Sequence, residues 1–309
     1  MTIHGSSIDD ASKGYITIHS LDPQDAPIAD AMRAMVSSNK GAQPGAEARG
    51  QFDALMQSAS PRGDVTFETG TVGGIPGLWV YPARRFVKEG AYVFITGRRQ
   101  AELDAAAKLM SGHVTAVRAD ASNLDDLDKL FAQIKREKGR LDVVYANAGG
   151  GGFAPIGGIT EEHFDQTFNT NVKGTLFAVQ KALPLIPDAG SIIMTCSAAS
   201  STAMPAFSVY SATKAAIRSF ARCWTLDLKE RKIRVNVISP GPIETPGVAG
   251  LAPDEEQRKG LYSMLASQVP LGRMGQPDEV AKVAVFLASD DSSFVTGIEL
   301  FADGGMAQV

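Results

Sequence analysis

Residues 208–224 read SVYSATKAAIRSFARCW and carry the most informative pattern in the chain. Their apolar residues recur at helical spacing, which predicts a helix with one buried face. Tyr210 and Lys214 then lie one turn apart on the same side of that helix. An ammonium group so close to a phenol favours the phenolate. We therefore expect Lys214 to lower the pKa of Tyr210 and to make this tyrosine a proton donor and acceptor.

A serine from a neighbouring element joins this pair. Residues 190–196, GSIIMTC, form a short apolar run that predicts a buried strand, and Ser197 comes directly after it. A serine at a strand end that faces a tyrosine and a lysine on a helix can polarise a carbonyl oxygen. A single Tyr-x-x-x-Lys spacing is more often a solvated pair on a helix surface, so the surrounding motifs decide between the two interpretations.

These surrounding motifs resemble the short-chain dehydrogenase/reductase family in identity, order and spacing. The resemblance covers about residues 84–309. Its residues, in chain order, are Asn147-Ala148-Gly149, Asn171-Val172-Lys173-Gly174, Ser197, Tyr210, Lys214 and Pro240-Gly241. It implies an oxidoreductase that interconverts a carbonyl and an alcohol at a catalytic site made of Asn171, Ser197, Tyr210 and Lys214.

The resemblance also implies a role for each member of this site. Ser197 is expected to hydrogen-bond the substrate oxygen, and Tyr210 to exchange its proton with that oxygen. Lys214 is expected to lower the tyrosine pKa and to hold the nicotinamide ribose, while Asn171 orients a water that links Lys214 to solvent. The partner is then a small-molecule carbonyl or alcohol, and the cofactor performs the hydride transfer.

From residue 84 onward, predicted strands alternate with predicted helices, which indicates an α/β fold. The expected architecture is a Rossmann-like, doubly wound parallel sheet with helices on both faces, where ligands bind at the carboxyl ends of the strands. The predicted strands are residues 91–96, 114–119, 141–146, 190–196, 233–238 and 297–301. The predicted helices are residues 101–110, 124–138, 161–186, 208–224 and 278–288, and residues 85–90 are expected to be the end of a further helix, capped by glycine. The third helix is expected to be partly broken near residues 171–174.

Residues 1–83 differ in pattern from the rest of the chain, and we expect them to form an atypical N-terminal extension before a domain at residues 84–309. Helical patterns cover residues 27–36 and 46–57, and β-prone segments cover residues 64–69 and 77–81. This order resembles the N-terminal part of the hormone-sensitive-lipase-like α/β-hydrolases. The sequence contains no His-Gly-Gly-Gly loop and no Gly-x-Ser-x-Gly elbow, so a hydrolase triad is not expected.

The glycine-rich loop of the reductase family is not found in its usual form. In the family, a Thr-Gly-x-x-x-Gly-x-Gly turn between the first strand and the first helix holds the cofactor pyrophosphate. The nearest candidate is residues 69–76, TGTVGGIP, where Pro76 stands in place of the last glycine. The spacing from this stretch to residues 84–86 is also too long. We therefore expect the extension to replace the usual first strand and loop, which would damage or remove this part of the cofactor site.

The remaining cofactor positions match the family. Where relatives that use NAD have an acidic residue, this chain has Gly97, followed by Arg98 and Arg99. Two guanidinium groups suit a ribose 2′-phosphate, so the resemblance implies NADP(H), the alternative being arginines at a solvated helix start. The other residues implied to line the cofactor are Asp120, Ala121, Asn147, Ala148, Gly149, Tyr210, Lys214, Pro240, Gly241, Ile243 and Thr245. The glycine run at residues 149–152 is interpreted as a flexible loop.

Two other functions are also compatible with the sequence. Ser197 could act as an acyl nucleophile with Tyr210 and Lys214 as its base, which would make the protein a cofactor-independent carboxylesterase acting on an ester. The site could also be inert in a chimeric chain. Because the family usually assembles through its long helices, a homodimer or homotetramer is expected. Residues 251–265 correspond to the mobile lid over the substrate in relatives.

The composition excludes several classes of partner. Of the 309 residues, 44% are hydrophobic and 21% are charged, which is typical of a globular protein. A net charge of −4 without a basic cluster argues against nucleic-acid and membrane-surface binding. No membrane-spanning or signal-peptide pattern is found, so a cytoplasmic protein is expected. Cys196 and Cys223 lie in apolar segments and are expected to be reduced core thiols, and the four histidines lack partners at ligand spacing, so no metal is expected.

Overall fold

The structure is a computed structural model that describes residues 80–110, 112–250, 252 and 254–309. All of these residues fall within a single compact unit. The expected helices at residues 27–36 and 46–57, the β-prone segment at 64–69 and the candidate loop at 69–76 lie outside the described residues. The predicted α/β architecture with parallel strands is confirmed.

The first of two sheets has two parallel strands, and one helix precedes and another follows its first strand. Its elements are α1 (Val80–Lys88), β1 (Val93–Gly97), α2 (Gln100–Lys108) and β2 (Val114–Arg118). The strands pair in parallel, with Ile95 opposite Ala116. Ile95 packs with Ala83 of α1 and Leu103 of α2 in one buried apolar cluster, so both helices are held against this sheet by the hydrophobic effect.

A second parallel sheet contains four strands in the order β3-β4-β5-β6. These are β3 (Val143–Ala146), β4 (Ser191–Thr195), β5 (Arg234–Pro240) and β6 (Glu299–Ala302). Every residue of β5 is buried, as expected for a central strand covered on both faces. The connecting helices are α3 (Leu124–Lys138), α4 (Glu161–Phe168), α5 (Gly174–Ala182), α6 (Ser208–Asp227), α7 (Pro246–Ala249), α8 (Glu255–Ser267) and α9 (Pro277–Ala288).

The alternation of side chains along β4 separates the two faces of this sheet. Ile192 and Met194 are fully buried in a cluster with side chains of α5 and α6. Ile193, between them in sequence, is buried on the opposite face in a cluster with α9. Because successive strand residues point to opposite faces, one apolar run can fill two cores, and this fixes the register of the strand.

The two sheets share the helices that cover them. Phe86 of α1 packs in the cluster that contains Val143 of β3 and side chains of α9. On the other face, Phe94 of β1 packs in the cluster built by α3 and α5. The sequence predicts a single sheet. Within the described residues no strand joins β1 to β3, so the strands form two separate sheets.

One predicted strand is wrong at its end. Residues 77–81 were expected to be extended, but Val80 and Tyr81 begin α1. The rest of α1, residues 82–88, places Ala83, Phe86 and Val87 on one side against the sheets. This apolar stripe stabilises a helix by tertiary packing, and that packing outweighs the β-propensity of valine and tyrosine.

Two further expectations have different outcomes. The predicted break in the long helix after Glu161 is confirmed, because residues 169–173 form a π-helical turn between α4 and α5. Cys196 is buried as expected, whereas Cys223 is exposed on α6, so the prediction of two core thiols is wrong for Cys223. No helix in the described part of the chain combines the length and apolar character needed to cross a bilayer.

Candidate active site

The carboxyl end of β4 and the first turns of α6 bring Ser197, Tyr210 and Lys214 together. Lys214 is buried, and its Nζ donates a hydrogen bond of 2.9 Å to the Thr195 carbonyl at the end of β4. The same ammonium group lies 5.5 Å from the centroid of the Tyr210 ring. Ser197 caps a short 3-10 turn, where its Oγ accepts a hydrogen bond of 3.2 Å from the Ala199 N–H. Lysine, tyrosine and serine are therefore fixed by a strand end and a helix start.

Asn171 completes the group from the π-helical turn. A π turn inserts one extra residue into a helix and often occurs at functional sites, because it redirects a side chain. Asn171 is fully buried, and its Nδ2 donates to the Gly150 carbonyl and to Thr213 Oγ1, both at 2.9 Å. Its Oδ1 accepts from the Gly150 N–H at 3.0 Å. Both N–H groups of the amide are used, and Gly150 and Thr213 are contacts that sequence reasoning missed.

Burial controls the protonation of the tyrosine. The pKa of Tyr210 is raised, mainly because burial disfavours the phenolate, while a hydrogen bond with Ser197 acts in the opposite direction. The predicted lowering of this pKa by Lys214 is therefore wrong here. The physical reason is burial of the phenol, which outweighs the other contributions, while the Lys214 ammonium lies over the tyrosine ring and donates to the Thr195 carbonyl.

Burial also acts on the lysine. It lowers the pKa of Lys214 to about 8, because the ammonium loses its hydration, and the nearby Cys196 opposes this shift. At neutral pH the group is therefore mostly charged, and it becomes neutral within the mildly alkaline range. A buried amine with such a pKa can take up or release a proton under ordinary conditions.

The glycine run after β3 packs directly on these residues. A Cβ atom built on Gly149 would lie 3.1 Å from both Lys214 Nζ and Asn171 Oδ1. On Gly151 it would lie 2.5 Å from Tyr210 Cδ2, closer than side-chain carbons approach one another. The interpretation of this run as a flexible loop is therefore incomplete, because two of its glycines are needed for close approach to the site.

Two phenylalanines extend the site toward the surface. Phe207, which precedes α6, stacks on Tyr210 with ring centroids 4.4 Å apart and an interplanar angle of 27°. Phe153, from the loop after β3, stacks on Phe207 at 4.6 Å and 27°. Sequence reasoning missed both residues. The only available signal was a pair of aromatic residues in loops rich in glycine and proline.

The residues predicted for the adenosine end follow β1 and β2. Arg98 and Arg99 are exposed, and Arg99 forms an ion pair of 2.6 Å with Glu102. Asp120 Oδ1 accepts hydrogen bonds from the N–H and Oγ of Ser122, at 2.9 and 2.7 Å. Burial acts to raise the pKa of Asp120, but these hydrogen bonds and the charge of Arg98 outweigh it, so the pKa is lowered.

The residues predicted for the nicotinamide end follow β3 and β5. Asn147 Oδ1 accepts a hydrogen bond from the Thr195 hydroxyl. Gly241 lies so close to Asp303 that a Cβ would be 2.7 Å from Asp303 Cα. Ile243 is buried, and Thr245 caps α7 by accepting from the Val248 N–H at 3.2 Å. Both segments lie at the carboxyl ends of their strands, where an α/β fold binds ligands.

These residues fit the two ends of a dinucleotide. The observation that bears on the fit is Gly149, which packs so closely on Lys214 and Asn171 that a Cβ would lie 3.1 Å from Lys214 Nζ and Asn171 Oδ1, so glycine lets the backbone after β3 approach these two groups. Arg98 offers an exposed guanidinium group at the opposite end, after β1. The stretch considered for the pyrophosphate, residues 69–76, lies outside the described residues.

The predicted lid contains α8, which begins after the capping residue Asp254 and has no buried side chain. A helix that buries none of its side chains is held by few packing contacts. Among the residues that the structure describes, no group of three or more His, Cys, Asp or Glu side chains could hold a metal ion.

The chain is similar to known proteins over most of its length. The family model described as "Enoyl-(Acyl carrier protein) reductase" matches residues 81–307. The oxidoreductase asL5 of Sarocladium schorii is 50% identical over 77% of this chain and 94% of its own length. The tetrahydroxynaphthalene reductase of Pyricularia oryzae is 32% identical over 81% of this chain and 91% of its own length.

A solved structure agrees with these relatives. A short-chain dehydrogenase/reductase from Brucella melitensis, described as a glucose/ribitol dehydrogenase, superposes with a TM-score of 0.71 at 30% identity. That superposition covers 77% of this chain and 95% of the Brucella chain. These three proteins are oxidoreductases, and the resemblance of residues 1–83 to a hydrolase gains no support from them. The carboxylesterase alternative likewise gains none.

Proposed function

The chain belongs to the short-chain dehydrogenase/reductase family, and from this premise we propose that it interconverts a carbonyl compound and its alcohol with NADP(H). The observation that carries the proposal is the convergence of Ser197, Tyr210, Lys214 and Asn171 where β4 ends and α6 begins. Members of this family generally use NAD(P)H. The choice of NADP(H) and the role of each residue are our own proposal.

Proton transfer to the substrate oxygen is the proposed task of Tyr210. Its raised pKa keeps the phenol protonated at neutral pH, so it can donate a proton as the oxygen gains negative charge. The Ser197 hydroxyl would donate a hydrogen bond to the same oxygen and polarise the carbonyl. The carbonyl carbon accepts a hydride, which the nicotinamide supplies when bound. In the opposite direction, the phenolate takes the proton of the alcohol.

Lys214 and Asn171 would support this transfer in different ways. With a pKa of about 8, Lys214 can return a proton toward Tyr210 after each turnover. Asn171 keeps the loop after β3 against the lysine, because both of its N–H groups and one side of its Oδ1 are engaged. One lone pair of Oδ1 remains to orient a water, which is the part that the family resemblance assigns to this residue.

The proposed preference for NADP(H) rests on the arginines after β1. Arg98 is exposed and can approach a ribose 2′-phosphate, whereas Arg99 would have to share its charge between the phosphate and Glu102. The other residues proposed to hold the cofactor are Asp120, Ala121, Asn147, Ala148, Gly149, Tyr210, Lys214, Pro240, Gly241, Ile243 and Thr245.

Two further proposals concern the organisation of the chain. We infer that the chain before α1 is an extension in place of the family's first strand and glycine-rich loop, and the family match that begins at residue 81 supports this. Residues 80–83, which the sequence pattern assigned to the extension, lie in α1. We also infer a homodimer or homotetramer. This inference follows from the family resemblance, because the family usually assembles through its long helices.

The function is tested by NADPH and NADH oxidation with a panel of ketones and aldehydes, together with calorimetric binding of both dinucleotides. Tyr210→Phe should lower kcat/KM by about 10²- to 10⁴-fold, because a general acid is lost. Tyr92→Phe is the matched control, since Tyr92 is exposed before the amino end of β1 and its hydroxyl shares a hydrogen bond with Thr115. Binding of neither dinucleotide would overturn the proposed function.

The cofactor choice is tested separately. Arg98→Ala should weaken NADPH binding by about tenfold and leave NADH binding unchanged, because one charged contact to the phosphate is lost. Arg140→Ala is the matched control, since Arg140 pairs with Asp142 at the amino end of β3, away from the predicted site. Equal loss of NADPH and NADH binding in Arg98→Ala would contradict the preference.

A further inference from the structure

We propose that Phe153 and Phe207 form an aromatic wall that selects carbonyl substrates carrying a planar aromatic ring. This inference rests on the proposed carbonyl reduction and names the substrate class for it. The aromatic wall is the pair of stacked rings that leads from Tyr210 toward the surface.

The wall begins at the proposed proton donor. Phe207 stands three residues before Tyr210, and the two rings stack at 4.4 Å. Phe153 continues the stack at 4.6 Å with the same interplanar angle of 27°. Phe207 is thus covered by Tyr210 on one face and by Phe153 on the other, so the aromatic surface that this stack offers to a ligand is the exposed ring of Phe153, which Phe207 supports. Aromatic rings prefer to pack against other rings in offset-stacked or tilted arrangements, so this surface favours a flat π-system over a puckered saturated ring.

The backbone holds the two rings in register. The Ala154 N–H donates a hydrogen bond of 2.7 Å to the Ala206 carbonyl and so joins the residues next to Phe153 and Phe207. Ala206 has a φ of +60°, in the left-handed region that non-glycine residues seldom adopt. Such a conformation persists only where the surroundings enforce it, and it is concentrated at binding sites. The wall is therefore set by backbone geometry as well as by contact between the rings.

Exposure distinguishes this wall from ordinary core packing. Phe153 is 53% exposed, so the stack leaves half of an aromatic side chain in solvent. Ile156, three residues further along the same loop, is 92% exposed. The exposed ring of Phe153 is therefore available to a ligand, and covering it releases water from apolar surface.

The test compares two ketones that share a carbon skeleton. The bicyclic ketone 2-tetralone contains a planar aromatic ring, and 2-decalone is its saturated counterpart. The wild type should have a higher kcat/KM for 2-tetralone with NADPH. Phe153→Leu and Phe207→Leu should each lower the 2-tetralone to 2-decalone ratio by about 3- to 10-fold, which corresponds to one lost ring contact. Phe294→Leu is the matched control, because Phe294 is fully exposed before β6.

Binding of 2-naphthol and decahydro-2-naphthol, measured by calorimetry, separates this inference from the proposed function. If no ketone is reduced but 2-naphthol binds more tightly and loses this advantage in Phe207→Leu, the reductase proposal fails and the aromatic wall stands. If both ketones are reduced with the same ratio in the wild type and both variants, the wall is wrong and the function stands. Absence of both reduction and binding would overturn both.

Discussion

Asn171 and Gly150 are joined by a reciprocal pair of hydrogen bonds. Asn171 Nδ2 donates to the Gly150 carbonyl at 2.9 Å, and the Gly150 N–H donates to Asn171 Oδ1 at 3.0 Å. The side-chain amide thus pairs with a peptide group as a neighbouring strand would. Because Asn171 also bonds Thr213 on α6, one buried residue ties the loop after β3 to the helix that carries Tyr210 and Lys214.

Replacement of Asn171 by alanine should therefore damage both stability and activity. It leaves the Gly150 N–H and the Gly150 carbonyl without a partner and removes the hydrogen bond that the Thr213 hydroxyl accepts, while this hydroxyl still donates to the Tyr210 carbonyl. The free energy of unfolding should fall by about 3 kcal/mol. Urea denaturation and kcat/KM for a ketone substrate measure the two effects. Asn123→Ala, which removes the exposed cap of α3, should cost about 1 kcal/mol and leave kcat/KM unchanged. If Asn171→Ala is as stable as the wild type, the proposal that Asn171 holds the loop after β3 against α6 is wrong.

Addition of one methyl group at Gly151 should disturb the site more than the fold. The new Cβ would lie 2.5 Å from Tyr210 Cδ2, so the tyrosine ring or the loop must move. A displacement of about 1 Å at a reacting group can cost about 10²-fold in kcat/KM, while the thermal midpoint should change little because the loop is exposed. Gly150→Ala is the matched neighbour, since its Cβ meets no described atom within 4 Å. Equal activity of both variants would argue against a role for Gly151.

Much of this fold could be predicted from local patterns. The predicted helix at residues 124–138 is observed with the same ends, because Asn123 caps its start and Gly139 ends it in the left-handed region. The interruption near Asn171 was also predictable from its motif. The structure brings Ser197, Tyr210, Lys214 and Asn171 to one place, which the spacing implied, while their catalytic roles stay predictions.

The remaining features depend on contacts that sequence spacing does not encode. The loop after β3 places Gly151 against Tyr210 of α6 and Phe153 against Phe207 just before that helix. These segments are distant in sequence and meet only in the folded chain. The shift in the pKa of Tyr210 was predicted in the wrong direction. The i, i+4 spacing predicts that Lys214 lies near Tyr210, but it does not predict how deeply the phenol is buried or where the ammonium group points. The start of the first helix at Val80 was missed, although its end near Gly90 was predicted, because the apolar stripe of the first turns has meaning only against the sheets.

The attachment of α1 to the rest of the fold should depend on Arg85. Its Nε and Nη2 each donate a 2.6 Å hydrogen bond to the Asp278 carboxylate on α9. The pair is partly exposed, so Arg85→Met should lower the free energy of unfolding by only about 1 kcal/mol at pH 7. Lys88→Met, an exposed change on the same helix, should have no effect.

The Arg85 effect should also depend on pH. The hydrogen bonds from Arg85, with a smaller contribution from Lys282, lower the pKa of Asp278. The stability gained from this carboxylate is complete above its unfolded pKa and is lost as the pH falls through the lower folded value. The difference between wild type and Arg85→Met, measured by urea denaturation, should therefore shrink below about pH 4. A difference that stays constant down to pH 3 would mean that Arg85 acts by packing alone.

Lys214 should make the free energy of unfolding depend on pH in the alkaline range. Its folded pKa of about 8 lies below the ordinary value of 10.5, so the unfolded chain binds more protons between these two pH values. Stability from this group must then rise with pH across that interval. Because Cys196 and Tyr210 have raised pKa values and act with the opposite sign, the wild type alone does not isolate the effect. The comparison with Lys214→Met isolates the effect, since methionine is an unbranched side chain only one atom shorter than lysine and carries no charge.

The quantity to measure is the free energy of unfolding of wild type minus that of Lys214→Met, at pH 7.5 and at pH 10. Burial of the charged amine penalises the wild type at the lower pH, and that penalty is relieved as the amine becomes neutral. The difference should move in favour of the wild type by about 2 kcal/mol between the two conditions. Lys232→Met, on a surface turn, should show no such change. If the difference is the same at both pH values, Lys214 has an ordinary pKa, and its proposed part in returning protons to Tyr210 loses its physical basis.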